Sequence, residues 1–415
     1  MVVAPNAATR LRVYGVKSDD ENMKEATRRM EEIMKAFARR TGLTGNHPPK
    51  RYLWTDAFAV CNYLELLHRT GEERYLQMAF TLVDQVHWVL GRHREDDPRR
   101  GWISGLDEEA GKRHPTAGGL RIGKKLAERG PEEPYDDQLE WDRDGQYFHY
   151  LTKWMHALNQ VARVSGRMRY NRWALELARA AHVGFTYIVP GSDKKRMYWK
   201  MSIDLSRPLV SSMGQHDALD GLVTYLHLAG TANRDPEQSP VLNLDREIAE
   251  VMAMCANTSW HTDDPLGIGG LLADGCLLAQ ITGKSDLPLE ELLIDILTDA
   301  AAGLERFIIS GPLKYPAEYR LAFRELGLAI GLHGLEKTVT VIKDQPQYFS
   351  RQEILLSRLA DLWKHSFLAG EIEEFWLAPL HQQSKIWTGH LDINSVMLAT
   401  SLGPEGYLDA ADNQH

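Results

Sequence analysis

Residues 144–166 read DGQYFHYLTKWMHALNQVARVSG and show the helical pattern of this chain most clearly. Apolar side chains recur there at steps of three and four residues, which places them on one face of an α-helix. They are Tyr147, Leu151, Trp154, Leu158 and Val161. A glycine just after the last periodic residue, here Gly166, is the usual left-handed stop of a helix. The stretch therefore predicts a long helix that ends in a tight turn.

The same pattern of helix, turn and returning helix recurs along the chain, although its copies are not closely alike in sequence. The turns are RTGEERY, VSGRMRY, LAGTANR, ITGKSDL, GLHGLEK and SLGPEGY, with their glycines at Gly71, Gly166, Gly230, Gly283, Gly334 and Gly403. Six turns predict about twelve helices, paired as six hairpins. Residues 196–205 are the exception, because they suit a short β-hairpin arm.

Connections between hairpins are often long, namely 94–143, 188–216, 311–317 and 377–390. If the hairpins close into a ring, these connections share the face that carries the N-termini of the first helices. Long loops on a rigid scaffold commonly carry binding and catalytic residues. We therefore expect a single all-α domain over 1–415, a toroid of six helical hairpins. Residues 94–143 and 188–216 would be long insertions over a site on that face.

Composition narrows the classes of partner. The 57 acidic residues outnumber the 48 basic ones, which disfavours binding to nucleic acid or to an anionic membrane surface. The sequence has no apolar run of about 18 residues, and its start, MVVAPNAATRLRVYG, lacks the apolar core of a signal peptide. Three widely spaced cysteines, Cys61, Cys255 and Cys276, fit a reducing compartment. We expect a cytoplasmic protein.

Motifs for a cofactor or a metal are weak. GGLRIGKK, residues 118–125, matches the spacing of a phosphate-binding loop, but Lys125 stands where Ser or Thr is required and no strand precedes it. The aspartate pairs 136–137 and 263–264 lie beside prolines in loops, where aspartate is common for local reasons. The sequence has no HExxH motif or Cys/His cluster. We expect neither a cofactor nor an essential metal.

The segments that open the predicted inner helices share aromatic, acidic and histidine residues. In a ring these segments converge on one central cleft, where carboxylates and histidines can move protons and flat aromatic rings can pack on a ligand. The candidates are Trp54, Asp56, Trp141, Asp142, Asp144, Tyr147, His149, Gln215, His216, Asp217, Glu318, Trp387 and His390. Any single aspartate is more simply explained as a helix cap. The functional interpretation depends on the recurrence of an aromatic residue with a carboxylate at most of the six helix starts.

Two aspartates are the first candidates for acid–base roles. Asp144 is the predicted general acid, because Asp142 and Trp141 nearby would raise its pKa. Arg143 would lower that pKa if it turned inward. Asp217, beside His216 on the next hairpin, is the predicted base that activates water. Paired carboxylates of this kind are what glycoside hydrolysis requires.

Six hairpins with tryptophan- and aspartate-rich segments before the inner helices resemble the (α/α)6 toroid of the six-hairpin glycosidases. This superfamily includes the unsaturated glucuronyl hydrolases and, with a similar barrel, the N-acylglucosamine 2-epimerases. The first resemblance implies catalytic aspartates on neighbouring inner helices, here Asp56, Asp142 or Asp144, and Asp217. The second implies acid–base histidines, for which this chain offers His149, His216, His261 and His390. No one family's signature is present.

The sequence thus predicts a carbohydrate-active enzyme, first of all a glycoside hydrolase that acts on a small saccharide. A sugar 2-epimerase or isomerase with histidine acid–base pairs remains an alternative, as does a non-catalytic toroid that binds a glycan or a protein. Basic stretches at 111–129 and 193–207 would favour an anionic saccharide, although acidic neighbours can equally balance them. Nothing in the sequence specifies an oligomeric state.

Overall fold

The computed structural model describes residues 19–235, 242–256, 258–283 and 287–410, and most of them are helical. In chain order the helices are α1 (Asp19–Arg40), α2 (Leu53–Thr70), α3 (Arg74–Leu90), α4 (Glu108–Arg113), α5 (Asp137–Asp142), α6 (Phe148–Ser165), α7 (Arg169–Phe185), α8 (Asp217–Ala232), α9 (Asp245–Cys255), α10 (Pro265–Ile281), α11 (Leu289–Ser310), α12 (Ala322–Asp344), α13 (Gln352–Trp363), α14 (Leu368–Leu377), α15 (Pro379–Gln382), α16 (Lys385–Gly389), α17 (Leu391–Leu402) and α18 (Glu405–Leu408). The strands are β1 (Gln146–Tyr147), β2 (Thr186–Ile188), β3 (Lys195–Met197), β4 (Lys200–Met201) and β5 (Pro208–Val210).

The long helices form two concentric layers. In the inner ring α2, α6, α8, α10, α12 and α17 each pack against the next, and α17 packs back against α2. Outside them α3, α7, α9 and α11 pack on the inner helices that they follow, and α13 and α14 together cover α12. The sixth outer helix is α1, which precedes the ring in sequence and packs on α17. This arrangement is the predicted toroid, with its sixth hairpin completed by helices from the two ends of the chain.

Glycine turns end three of the inner helices as predicted. Gly71 and Gly166 follow α2 and α6 with φ values of 70° and 67°. Gly283 follows α10 with a φ of 89°. Positive φ is nearly free of cost only for glycine, so these residues stop the helix and reverse the chain.

The other three turn predictions differ from the structure. The prediction at Gly334 is wrong, because α12 runs straight through this buried residue and a Cβ there would lie 3.2 Å from the Cβ of Cys276. Gly230 lies inside α8, shortly before its end at Ala232. Gly403 follows α17, but the partner of α17 is α1 rather than a later helix.

The core lies between and within the two layers. The inner helices are covered by two ring neighbours and an outer helix, which explains why α10 is apolar on nearly all sides. Their approach is closest between α10 and α12, where a Cβ on Gly269 would lie 2.0 Å from the carbonyl oxygen of Gly327. The three cysteines are buried and not disulfide-bonded. Among the described residues, none of the helices has the length and hydropathy that crossing a membrane requires.

The connections from each outer helix to the next inner helix lie at the N-terminal ends of the inner ring. The longest, 91–147, contains α4 and α5 and is tied to the ring by the Leu53 N–H, which donates to the carbonyl of Ile122 at 3.0 Å. The next, 186–216, contains four short strands. β2 pairs with β3, whereas β4 lies between β1 and β5. The predicted arm at 196–205 is therefore split, and β4 joins the two connections.

Candidate active site

The ring opens at the N-terminal ends of its inner helices. Partly exposed residues there include His149 and Lys153 in α6, Gly270 in α10 and Phe323 in α12. Because neighbouring helices cover the other sides of an inner helix, these positions face the ring axis. A Cβ on Gly270 would meet no atom within 4 Å, so space is open beside α10. We call this opening the cleft.

His149 and Asp217 form a close pair in the cleft. Nδ1 of His149 lies 3.8 Å from Oδ1 of Asp217, and the two side chains are 22% and 6% exposed. Burial, with a smaller contribution from the Asp220 carboxylate, raises the pKa of Asp217 to about 7. Burial lowers the pKa of His149 to about 4. Near neutral pH the site therefore holds a neutral imidazole beside a carboxyl group that can keep its proton.

A charged cluster lies next to this pair, deeper in the ring. Lys153 Nζ donates to Oδ1 of Asp220 at 2.8 Å. Burial, together with its hydrogen-bonded neighbour Asp220, raises the pKa of Asp274 well above the usual range. Lys153 is the cation that faces this pair of carboxyl groups.

Aromatic rings surround His149. The ring centroids of Trp54, Trp199 and Tyr147 lie 6.0, 6.2 and 5.4 Å from that of His149. Trp199 is nearly parallel to the imidazole, with an interplanar angle of 16°. The indole N–H of Trp54 is buried and has no hydrogen-bond partner. An apolar wall with a few polar groups converging on it is the usual form of a small-molecule site.

Five predicted site residues come together here: Trp54, Tyr147, His149, His216 and Asp217. His216 immediately precedes α8, and its Nε2 lies 3.1 Å from the carbonyl oxygen of Trp260. Its Cε1 lies 3.5 Å from the position of a Cβ on Gly267, which places the imidazole between α8 and α10. Burial lowers its pKa.

Asp144, the predicted general acid, lies outside this group and is fully buried. Its Oδ2 accepts hydrogen bonds from Arg121 at 2.9 Å and from Arg94 at 3.3 Å. Its Oδ1 accepts one from the backbone N–H of Gly123 at 2.9 Å. These contacts hold the 91–147 connection together. Arg143, which would have lowered the pKa of Asp144, turns away and pairs with Glu133.

Other predicted site residues have structural or surface positions. Asp56 is fully buried, accepts a hydrogen bond from the Tyr52 N–H at 3.0 Å and lies 3.5 Å from Arg51. Burial raises its pKa to about 6, and Arg51 opposes that shift. Trp387 is buried and stacks on Trp376, with ring centroids 5.5 Å apart. These side chains support the ring rather than line its cleft.

The remaining predicted residues are exposed. They are Trp141 and Asp142 at the end of α5, Gln215 before α8, Glu318 before α12 and His390 before α17. Gln215 donates to the carbonyl of His261 at 2.6 Å, and His390 lies beside Phe323 with ring centroids 5.8 Å apart. Trp141 and Trp199 are in edge-to-face contact, so Trp141 touches one of the aromatic rings around His149.

Sequence reasoning gave no functional role to Lys153, Asp274 and Trp199, and it interpreted Asp220 with Asp217 as a helix-capping arrangement. Helical periodicity carried a signal for two of them, since Lys153 follows His149 by four residues and Asp220 follows Asp217 by three. Asp274 is a single acid in the apolar run LLADGCLLAQ, and a lone charge in a buried helix requires a partner. Trp199 lies in an irregular connection, where the sequence offers no such signal.

No group of three or more potential metal-ligating side chains comes together within the described ranges.

Comparison with known proteins gives similarity in structure only. No protein-family model matches the chain, and no curated protein matches it. An α-1,6-mannanase from a Salegentibacter species, solved as an inactive variant with two aspartates changed to asparagine and bound to α-1,6-mannotriose, has a TM-score of 0.52 at 11% identity. The match covers 92% of this chain and 100% of the mannanase chain.

A sugar epimerase from a ruminal bacterium is similar to the same degree. Its TM-score is 0.50 at 10% identity, and the match covers 91% of this chain and 98% of the epimerase chain. These similarities confirm the predicted (α/α)6 toroid. They favour neither of the two reactions, because the identity is too low to transfer catalytic residues.

Proposed function

We propose that this protein is a carbohydrate-active enzyme, a glycoside hydrolase in which Asp217 is the general acid. The observation that carries the proposal is the buried carboxyl group of Asp217, whose pKa is raised to about 7 at an opening lined by aromatic rings. Glycoside hydrolysis needs a carboxylic acid that still holds its proton near neutral pH, and a second carboxylate beside it. The sequence had suggested the opposite role for Asp217, that of a base.

Asp220 is the second carboxylate. Residues three apart on a helix share a face, with Cβ atoms about 5–6 Å apart. Retaining glycosidases have carboxyl groups about 5–5.5 Å apart, whereas inverting enzymes leave a wider gap for water. In this mechanism Asp217 protonates the leaving oxygen while Asp220 attacks the anomeric carbon. Asp217 then takes a proton from the water that releases the sugar from Asp220.

His149 supports a second candidate, a sugar epimerase. Its buried Nδ1 has no hydrogen-bond partner and lies beside Asp217. A neutral imidazole can remove a proton next to a carbonyl group, and a carboxylic acid can return one. An epimerase would lose activity on His149→Gln, whereas a retaining hydrolase would be more sensitive to Asp220→Asn.

One experiment separates these reactions. The protein is incubated with neutral mannose- and glucose-based oligosaccharides in D2O and followed by proton NMR. A retaining hydrolase produces new reducing ends whose first anomer has the configuration of the substrate. An epimerase introduces deuterium at C2 without cleavage. If neither signal appears but a glycan binds, the non-catalytic toroid becomes the better description.

A further inference from the structure

Two tryptophans, Trp199 and Trp141, lie in sequence between the cleft and the protein surface. Trp199, in the 186–216 connection, is partly exposed and lies 6.2 Å from His149 between ring centroids. Trp141, in the 91–147 connection, is 49% exposed. The two indole rings are 5.0 Å apart and nearly perpendicular, at 78°. Aromatic surface thus continues outward from the His149–Asp217 pair in two steps, each of about the size of a sugar ring.

A buried ion pair fixes these two tryptophans relative to each other. Lys200 follows Trp199, Glu140 precedes Trp141, and their side chains are 0% and 3% exposed with Nζ 2.9 Å from Oε1. Lys200 Nζ also donates to the carbonyl oxygens of Glu140, at 2.6 Å, and of Arg143, at 2.9 Å. A buried ion pair contributes little net stability, and its best-supported benefit is a defined geometry. Here it joins the two connections beside the tryptophan of each.

Trp141 is joined to the cleft through ring contacts, because it lies against Trp199, which in turn lies beside His149. Exposed aromatic surface that continues a binding cleft commonly meets the ligand of that cleft. The ligand that enters the cleft is therefore the occupant that fits Trp141.

We infer that Trp199 and Trp141 are two successive sugar-binding positions outside the catalytic pair, and that the substrate is a glycan chain of three or more units. The apolar faces of its sugars pack on the two indole rings, and the chain leaves the cleft over the junction of the 91–147 and 186–216 connections. This inference rests on the proposed function for the class of ligand, but it concerns chain length and the path of binding. Rigid placement of the two rings keeps the entropy cost of binding low.

Calorimetric titration of linear neutral oligosaccharides tests this inference. The probes are α-1,6-mannose and β-1,4-glucose series of one to six units, titrated into the Asp217→Asn variant so that no cleavage occurs. We expect affinity in at least one series to rise with length to three or more units. Trp141→Ala, in the same background, should abolish the gain from the outermost unit, about two- to tenfold in Kd. Trp199→Ala should weaken every probe that is longer than one unit.

Trp363 provides the matched control, since it is 47% exposed on the outer helix α13. Trp363→Ala should bind every probe as its parent does, with thermal unfolding showing that all variants are folded. The inference is overturned if no series shows a dependence on length, or if Trp141→Ala binds as Trp363→Ala does. Length-dependent binding together with undiminished turnover by Asp217→Asn would contradict the proposed hydrolase but support the two positions. Turnover that requires Asp217, together with binding that does not depend on length, would support the proposed hydrolase and contradict the two sugar-binding positions.

Discussion

Nδ1 of His149 lies 3.8 Å from Oδ1 of Asp217, and the pKa values of the two groups are shifted in opposite directions. Burial explains both shifts, because desolvation disfavours the charged form of either group. The pKa of the carboxyl group rises to about 7 while that of the imidazole falls to about 4. Around neutral pH it is therefore the carboxyl group of this pair that gains and loses a proton.

The first prediction concerns the pH dependence of turnover. If Asp217 must be protonated to donate, kcat/KM should fall as pH rises through about 7. Asp217→Asn should lower kcat by about 10²–10⁴-fold at pH 6. The measurement is a kcat/KM profile from pH 4 to pH 9 on the oligosaccharide that the NMR experiment identifies. A flat profile between pH 6 and pH 8 would rule out Asp217 as the acid.

The raised pKa of Asp217 also predicts that Asp217→Asn stabilises the protein to a degree that depends on pH. The pKa of this carboxyl group in the folded state, about 7, exceeds the unfolded value of about 3.9, so the folded state binds more protons between these limits. Stability then falls as pH rises through that window. Asp217→Asn removes the effect, so it should stabilise the protein at pH 8 by up to about 4 kcal/mol and hardly at all at pH 4. Urea unfolding at the two pH values measures the difference, and equal effects at both would contradict the pKa shift.

The ring could be predicted from the sequence because its helices are long and periodic, as residues 144–166 show. Gly334 was misread because a glycine that lets α12 pack against Cys276 looks the same in the sequence as a glycine that ends a helix. The raised pKa of Asp217 could not be predicted from the sequence, for a physical reason. A helix N-terminus lowers a carboxyl pKa, but burial beside Asp220 outweighs that effect.

The site was harder to predict because its groups come from distant parts of the chain. The motif WDRD suggested that Asp142 and Arg143 control Asp144. Folding instead brings Arg94 and Arg121 to Asp144 from far earlier in the sequence. Local sequence shows which residues share a helix face, but it does not show which loop reaches them.

Asp144 should therefore matter for stability rather than for chemistry. Asp144→Asn leaves the guanidinium groups of Arg94 and Arg121 without their shared anion in a buried site. Breaking a buried ion pair from one side typically costs about 3–5 kcal/mol. Asp142→Asn is the control, because Asp142 is exposed and should change the free energy of unfolding by less than about 0.5 kcal/mol. Urea unfolding of both variants checks this, and equal stabilities would show that the cluster does not hold the connection.

Substitutions at Gly270 should separate stability from activity. Glycine inside a helix costs about 1 kcal/mol relative to alanine, and a Cβ at this position would meet nothing within 4 Å. Gly270→Ala should therefore stabilise the protein, while Gly270→Leu should fill the cleft and lower kcat/KM on the order of 10²-fold. Gly230 also faces open space, at the far end of α8. Gly230→Leu should leave kcat/KM unchanged, and a fully active Gly270→Leu would show that no substrate lies beside α10.

The last prediction concerns the charge of the substrate. Several of the basic side chains that suggested an anionic saccharide are paired within the protein, as Arg121 is with Asp144 and Arg129 with Glu140. Lys124 differs from them. Its Nζ lies 5.6 Å from the centre of the Tyr52 ring, and burial lowers its pKa. The Tyr52 hydroxyl is 2.6 Å from that of Tyr150, whose ring contacts His149.

A desolvated ammonium group at this position would gain from an anion on the ligand. We expect a disaccharide with one glucuronic acid to bind more tightly than its neutral glucose counterpart, and the difference to shrink between 0.05 and 0.5 M NaCl as charges are screened. Lys124→Met should remove that preference. Lys125→Met should keep the preference for the acidic disaccharide, because Lys125, the next residue in the chain, is exposed. Calorimetric titration of both ligands decides the question: equal affinity of the wild-type protein for the two disaccharides at both salt concentrations would mean that the cleft selects neutral sugars.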